Sequence, residues 1–223
     1  MRINKFIANK LGISRRKADE LISRGRITVD GVVPTPGLDV TQNNTVLIDN
    51  RALPQTKAFE YLLLNKPVGY VCSRDGQGSN SIYDLLPHKY DHLNPVGRLD
   101  KDSSGLIMLT NDGELHNKLT HPSYNKQKQY LVSLNKPLAK DDISAITLRG
   151  VTLSDGPSIF AITPQKTNPR EYLVTMHEGR NRQIRRTFNA LGYKIESLQR
   201  TSFGDYQLDD LAVGEYRTIQ PHQ

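Results

Sequence analysis

The sequence contains a single cysteine, Cys72, and no long apolar run. One cysteine excludes an internal disulfide framework and a cysteine-rich zinc site, and it is typical of a reducing compartment. The histidines show no ligand-like clustering, so we expect no metal site. A membrane span needs roughly 18 apolar residues, and the start MRINKFIANK lacks the apolar stretch of a secretory leader. We therefore expect a cytoplasmic protein that does not enter a membrane.

The net charge of +7 is concentrated in two segments. Residues 1–31 hold eight Lys and Arg against three Asp and Glu, and residues 177–200 hold six against two. The remaining 168 residues carry a net charge of −2. Two basic segments on a nearly neutral chain favour a polyanionic partner such as nucleic acid, although one such segment alone would be read as a solvated helix face.

Apolar residues at helical spacing predict two short helices within the first 25 residues. The first ends at Gly12, and the second begins after the N-cap Ser14 and ends at Gly25. The second helix opens with Arg15, Arg16 and Lys17, although the helix dipole disfavours cations in a first turn. This placement suggests a phosphate ligand at the start of that helix.

Asp30-Gly31, flanked by 27–29 and 32–33, predicts a β-hairpin. The polar segment 49–59 contains a proline and shows no period, which predicts a linker. Beyond it, we expect strands at 60–64, 68–72, 106–109, 129–134, 159–163, 171–177, 193–199 and 215–218, and helices at 112–120, 139–148 and 181–191.

Several of these strands alternate apolar with polar residues, which predicts an antiparallel sheet with one solvated face. Many strands and few helices favour the α+β class over a parallel α/β protein. The expected organisation is a small α-rich domain at 1–48, a linker at 49–59, and a larger domain at 60–223. The larger domain would hold a mostly antiparallel central sheet flanked by helices.

The strongest chemical motif combines two glycines, an arginine and two aspartates. Gly97-Arg98-Leu99-Asp100 is followed by Asp102-Ser103-Ser104-Gly105-Leu106. An ordinary turn, in which Arg98 pairs with Asp100, would account for the first four residues alone. A guanidinium beside a carboxylate also keeps it ionised, as a nucleophile must be.

These residues resemble the catalytic motif of the RsuA-type branch of bacterial ribosomal RNA pseudouridine synthases. Other matches to the family follow in order: an S4-like RNA-binding domain at 1–48, then Asn65-Lys66-Pro67-Val68-Gly69-Tyr70, Thr110-Asn111-Asp112-Gly113, Lys128-Gln129-Tyr130, and Glu178-Gly179-Arg180-Asn181-Arg182-Gln183-Ile184-Arg185-Arg186. Several ordered matches over nearly the whole chain are far more specific than any one of them. Many pseudouridine synthases carry histidine at the position of Arg182, but arginine is familiar in the ribosomal RNA branch.

The resemblance implies that the chain converts a uridine of ribosomal RNA to pseudouridine without a metal or organic cofactor. Asp100 would be the nucleophile, Tyr130 the ring against the target base and a candidate acceptor of the C5 proton, and Arg185 the partner of the aspartate and the substrate. Whether Asp100 forms a covalent sugar adduct or abstracts a proton toward a glycal stays open. Substrate-binding candidates are Lys66, Arg98, Arg180, Arg182 and Arg186.

The residue types suit this chemistry on general grounds. A uridine inside folded RNA must be extruded into a pocket, and an aromatic ring can replace about 1–3 kcal/mol of lost stacking. Cations of the first domain would grip the RNA backbone. The candidates for that grip are Lys5, Arg15, Arg16, Lys17, Arg24 and Arg26.

Two other functions remain open at this point. A non-catalytic RNA-binding ribosome-assembly factor would show the same basic segments, and a DNA-binding regulator could use the helix after Ser14, although no dimer element is visible. The target is equally open, because MRINKFIANKLG and NKPVGYVCS look closest to small-subunit enzymes and GRNRQIRR to large-subunit enzymes. We expect a monomer that acts on ribosomal RNA or on a ribosomal assembly intermediate.

Overall fold

The computed structural model describes residues 1–54 and 58–221, which fall into two compact units. The first unit comprises Met1–Glu60 with the short pieces His92–Asn94 and Asn111–Gly113, and the second comprises the rest. The boundaries predicted at 48 and 59 stay a prediction, and residues 55–57 of the predicted linker lie outside the described residues. Within the described part of the chain, no helix combines the length and apolarity that a membrane crossing requires.

The first unit contains two helices and a small sheet. Helices α1 (Ile3–Leu11) and α2 (Arg15–Ser23) are followed by strands β1 (Ile27–Val29), β2 (Val46–Ile48) and β3 (Arg51–Ala52). Gly12 has a φ of +66° and ends α1, and the Ser14 hydroxyl accepts the Lys17 backbone N–H at 3.1 Å. Both predicted helix ends are therefore confirmed, and an apolar cluster that includes Ile7, Leu21 and Ile27 joins the helices to the sheet.

The predicted hairpin at Asp30-Gly31 is only half right. The turn exists, because Val29 and Val32 exchange two backbone hydrogen bonds of 2.8 and 3.0 Å. However, β1 pairs with β2, and Val32 and Val33 form no strand and are 69% and 50% exposed. Pro34 and Pro36 follow them and offer no N–H to a neighbouring strand. Part of the predicted linker also forms structure, because β2 and β3 pair as a hairpin around Asp49 and Asn50, which both have positive φ.

The second unit is built on one nine-stranded sheet. Its elements in chain order are β4 (Tyr61–Lys66), β5 (Asn94–Val96), β6 (Ser104–Thr110), α3 (Gly113–Thr120), β7 (Lys128–Leu134), α4 (Lys140–Ser144), β8 (Val151–Leu153), β9 (Gly156–Ser158), β10 (Ala161–Pro164), β11 (Glu171–Met176), α5 (Gln183–Ala190), β12 (Ile195–Phe203), β13 (Tyr206–Gln207) and β14 (Tyr216–Thr218). A five-residue π-helical segment follows α4, and β8 and β9 form a separate hairpin.

The main strand order is β10-β11-β7-β12-β6-β4-β14, with β5 beside β6 and β13 beside β12. Along this order every neighbouring pair is antiparallel except β6 and β12, which run parallel. The predicted α+β class with a mostly antiparallel sheet is confirmed. Ile184 and Phe188 of α5 pack with β7 and β11 residues in one apolar cluster, and Leu119 of α3 packs with Leu63 and Phe203 in another.

The strand predicted at 68–72 is wrong. Gly69 has a φ of +96°, and its N–H donates to the Lys101 carbonyl at 2.7 Å. The Lys66 ammonium donates to the carbonyls of Pro67 and Tyr70, both at 2.8 Å. The segment is therefore a turn, in which the Tyr70 carbonyl bonds to a lysine side chain and Val71 forms an isolated bridge with Ser81.

Candidate active site

A cavity of about 870 Å³ opens in the second unit, where loops meet one face of the sheet. Its walls come from the loop between β5 and β6, from β7, from the segment that leads into α5, and from β12. Asp100, Tyr130 and Arg185 all line it, so the three predicted catalytic residues share one cavity. It is large enough to hold a nucleotide-sized ligand.

The backbone of the loop before β6 exposes Asp100. Leu99 is buried at 7% exposure, and its N–H and carbonyl both lie near the Cys72 sulfur, at 3.4 and 3.5 Å. The neighbours of Leu99 therefore point away from the core, and Arg98 is exposed while the Asp100 side chain is 36% exposed. Cys72 is half-buried and lines the cavity, where burial raises the pKa of its thiol.

Gln183 and Arg180 hold the start of α5. The Gln183 amide donates to the Ser158 hydroxyl at 3.1 Å, which ties the helix to β9. Arg180 donates to the Asp155 carboxylate at 3.0 Å and to the carbonyls of Asp155, Gly156 and Pro157. These contacts fix the helix start, from which the N-cap residue Arg182 and the helical Arg185 both reach Asp102.

Arg182 and Arg185 converge on Asp102. Arg182 donates two hydrogen bonds to the Asp102 carboxylate, at 3.0 and 2.8 Å, and its Nη1 lies 3.5 Å from Asp100 Oδ2. Arg185 donates to the Asp102 carbonyl at 2.6 Å and to the Ser103 hydroxyl at 3.1 Å, and its Nε lies 3.3 Å from Asp102 Oδ2. The partner of Asp100 is therefore Arg182, and the predicted Arg185–Asp100 pair is replaced by an Arg185–Asp102 pair.

These contacts fix the charge of Asp102. The hydrogen bonds from Arg182 hold the pKa of Asp102 below its ordinary value, and they raise the pKa of the Arg182 guanidinium in return. Burial lowers the pKa of Arg185, although Asp102 and Asp100 oppose that effect. Asp102 thus anchors two guanidinium groups beside Asp100 and stays ionised at neutral pH.

The structure separates the predicted substrate-binding residues into two groups. Arg98 and Arg182 line the cavity with exposed guanidinium groups. Arg180 lines it too, but its guanidinium bonds to the β8–β9 turn. Arg186 lies outside the lining, where it donates two hydrogen bonds to Asp155. Arg180 and Arg186 therefore hold the β8–β9 turn through Asp155, and their contact with substrate stays a prediction.

Lys66, the remaining predicted substrate-binding residue, is buried. Its exposed fraction is 0%, it does not line the cavity, and burial lowers the pKa of its ammonium. Its hydrogen bonds hold the turn that follows β4. Lys66 therefore supports the backbone of this turn, and its contact with substrate stays a prediction.

The RNA-binding candidates of the first unit differ in their contacts. Lys17 pairs with Glu20 at 2.8 Å, Arg26 pairs with Asp49, and Arg15 donates to Asn4 at 3.2 Å. Lys5 is half-buried on α1. The exposed guanidinium groups of Arg16 and Arg24 make no hydrogen bond or ion pair with the described residues. α2 has no acidic residue in its first turn, so the start of this helix keeps its positive potential.

Two cations of the cavity were missed by the sequence analysis as site residues. Arg200 is 2% exposed and lines the cavity from β12, and Lys128 lines it from β7. The sequence carries little sign of this role for Arg200. Whether an arginine on an alternating strand points into a cavity can be decided only after the pairing of that strand is known. Among the described residues, no group of three or more His, Cys, Asp or Glu could hold a metal ion.

Comparison with known proteins identifies the family. The model of the RNA pseudouridylate synthase family matches residues 60–190, and that of the S4 domain matches residues 1–46. Ribosomal small subunit pseudouridine synthase A of Salmonella typhimurium is 36% identical over 98% of this chain and 96% of its own length. Ribosomal large subunit pseudouridine synthase B of Bacillus subtilis is 35% identical over 100% and 93%.

A solved crystal structure of a pseudouridylate synthase agrees with this finding. It matches with a TM-score of 0.71 and 31% identity, over 99% of this chain and 96% of that one. The family predicted from the ordered motifs is therefore confirmed. The chain belongs to the RNA pseudouridylate synthase family, the enzymes that isomerise uridine to pseudouridine.

Proposed function

We propose that this enzyme isomerises one uridine of ribosomal RNA, and that Asp100 is its nucleophile. The observation that carries the assignment is the partly exposed Asp100 carboxylate, which lines the same cavity as Tyr130 and lies 3.5 Å from the Arg182 guanidinium. The relatives named above act on ribosomal subunits, one on the small and one on the large. Ribosomal RNA is therefore the substrate class, and the subunit is left to the experiment.

The target uridine is flipped out of the RNA so that its base lies against the Tyr130 ring. Asp100 then acts on the ribose, either by attack at C1′ or by removal of a ribose proton toward a glycal. Both routes place the Asp100 carboxylate against the ribose, and the Arg182 guanidinium lies 3.5 Å from that carboxylate. The uracil is released as an anion, turns over and rejoins the ribose through C5.

The cations divide the remaining work. Arg98 and Arg182 are exposed in the cavity and contact the target nucleotide, and Arg185 positions the Asp102 segment and reaches the substrate from its cavity side. The domain at 1–48 grips the RNA backbone through Lys5, Arg15, Arg16, Lys17, Arg24 and Arg26. The linker at 49–59 joins it to the catalytic domain at 60–223. The enzyme acts as a cytoplasmic monomer, without cofactor, on free ribosomal RNA or an assembly intermediate.

The test is pseudouridine formation in transcripts of both ribosomal RNAs, counted by nucleoside mass spectrometry. Wild-type protein converts one uridine, and Asp100→Asn abolishes conversion while RNA affinity is unchanged. Asp210→Asn is the matched control, because Asp210 is exposed and, within residues 1–54 and 58–221, pairs only with Arg217. Wild-type protein that binds RNA without converting any uridine would favour the assembly-factor function instead. Activity of Asp100→Asn near that of the wild type would remove Asp100 from the mechanism.

A further inference from the structure

Arg200 lies between the two elements that carry the catalytic residues. In the sheet, its Cα is paired with Tyr130 on β7 and with Gly105 on β6. Side chains directly opposite each other on antiparallel strands share one face, with Cβ atoms about 5 Å apart. The Arg200 guanidinium therefore borders the region that a base against Tyr130 would occupy.

The Arg200 guanidinium is poorly satisfied by the protein. Its Nε donates to the Leu106 carbonyl at 2.8 Å, and this is its only hydrogen bond within the described residues. Its Nη2 is shielded from solvent and has no partner there, and no described carboxylate lies within ion-pair distance. The guanidinium carbon lies 4.8 Å from the centre of the Phe203 ring. Burial of a cation without a counter-charge costs free energy, so we infer that the Arg200 charge serves to bind a ligand.

Three other arginines of the cavity already have carboxylate partners in the protein. Arg182 and Arg185 contact Asp102, and Arg180 contacts Asp155. Lys128 is the near neighbour of Arg200, since its ammonium lies 5.6 Å from the same Phe203 ring. Burial lowers the pKa of Lys128, and the charge of Arg200 adds to that effect. Glu178, which also lines the cavity, opposes that effect on Lys128, so Arg200 is the cation here that a ligand is left to complement.

We propose that Arg200 is a catalytic residue that donates a hydrogen bond to a carbonyl oxygen of the flipped uracil and stabilises the negative charge formed when the C1′–N1 bond breaks. This rests on the proposed function. In that step the bonding electron pair leaves on N1 and is shared with O2 and O4. C5 then bonds to C1′, the C5 proton is lost and N1 gains one, so the product is an isomer of the substrate. A donor placed where charge develops lowers the barrier more than it tightens binding.

A phosphate contact is the less favoured ligand for Arg200. The side chain is 2% exposed, and a phosphate of the RNA backbone stays near the mouth of the cavity, where the exposed Arg98 is available. A planar base that enters the cavity reaches further in. A phosphate contact would also affect RNA affinity, which separates the two ligands in the test.

The variants are Arg200→Met and Arg200→Lys, with Arg217→Met as the matched control because Arg217 lies on β14 and pairs with Asp209 and Asp210. Single-turnover rates are measured on ribosomal RNA transcripts. Removal of a donor to a developing charge lowers the rate about 10²–10³-fold, so Arg200→Met loses this factor and keeps wild-type RNA affinity. Arg200→Lys recovers part of the rate, and Arg217→Met retains all of it. Thermal denaturation shows whether Arg200→Met is folded.

The decisive comparison uses transcripts made with 5-fluorouridine, in which fluorine stabilises the uracil anion without help from the protein. The loss of 5-fluorouridine reports the cleavage of the C1′–N1 bond. We expect Arg200→Met to slow this loss by a smaller factor than it slows uridine conversion. Equal factors on both transcripts would overturn the proposal and leave Arg200 a structural residue, and a loss confined to RNA affinity would assign it to phosphate.

Failure of this proposal is distinguishable from failure of the proposed function. If wild-type protein converts no uridine, the proposed function and the role of Arg200 are both overturned. If wild-type protein is active and Arg200→Met is equally fast, only the role of Arg200 is overturned.

Discussion

Gly105→Ala should loosen the contact on which the geometry of the cavity depends. Gly105 has a φ of +103°, and a Cβ there would lie 2.6 Å from the backbone N and 2.9 Å from the carbonyl carbon of Arg200. A side chain at this φ costs about 1–3 kcal/mol, and overpacking against backbone costs about 1–3 kcal/mol more. We expect the free energy of unfolding to fall by about 2–6 kcal/mol. Uridine conversion should fall too, because β6 and β12 must separate.

The matched control is Gly214→Ala, since Gly214 has a φ of +85° and open space where the Cβ would be. It carries the conformational cost alone, about 1–3 kcal/mol, and activity should be retained. The assay is urea unfolding followed by circular dichroism, because the sequence has no tryptophan. If the two variants unfold at the same urea concentration and are equally active, the prediction is wrong, because the fold then tolerates a Cβ beside the Arg200 backbone.

Two further predictions concern charge. Asp102→Asn should lower the free energy of unfolding by about 1 kcal/mol at pH 7, because the side chain is 45% exposed and water screens its pairs. Since the folded pKa of Asp102 lies below its ordinary value of 3.8, this difference should persist down to about pH 4 and vanish below it. A difference that grows on acidification in urea titrations would contradict the pairing. Arg16→Gln should reduce the slope of log affinity for RNA against log salt by about 0.7–0.9 if it removes one phosphate contact, and an unchanged slope in filter binding would remove Arg16 from the interface.

The sequence predicted the helices and most of the sheet because their residues keep one period over several turns. Ile184 and Phe188 are apolar at helical spacing, and both pack in the core as expected. Gly12 and Ser14 mark helix ends through local backbone chemistry, which needs no tertiary contact. The strand predicted at Val32 and Val33 does not form, because the choice of partner strand depends on distant residues. Strand β1 pairs with Val46–Ile48 instead.

The composition of the site was more predictable than its contacts. The motif around Asp100 identified the loop, and the cavity contains Tyr130 as expected. The partner of Asp100 was not predictable, because the reach of Arg182 depends on its own φ of +47° at the start of α5. The burial of Lys66 could not be read from its motif, and the position of Arg200 became visible only when the register placed it opposite Tyr130.

The role of Asp100 is tested most directly by mapping pseudouridines at single-nucleotide resolution in ribosomal RNA from three strains. One carries the wild-type protein, one lacks it, and one carries Asp100→Asn at equal abundance. We predict one pseudouridine that is present in the first strain and is uridine in the other two. A complete set of pseudouridines in the Asp100→Asn strain would contradict the account, as would a strain without the protein that loses none.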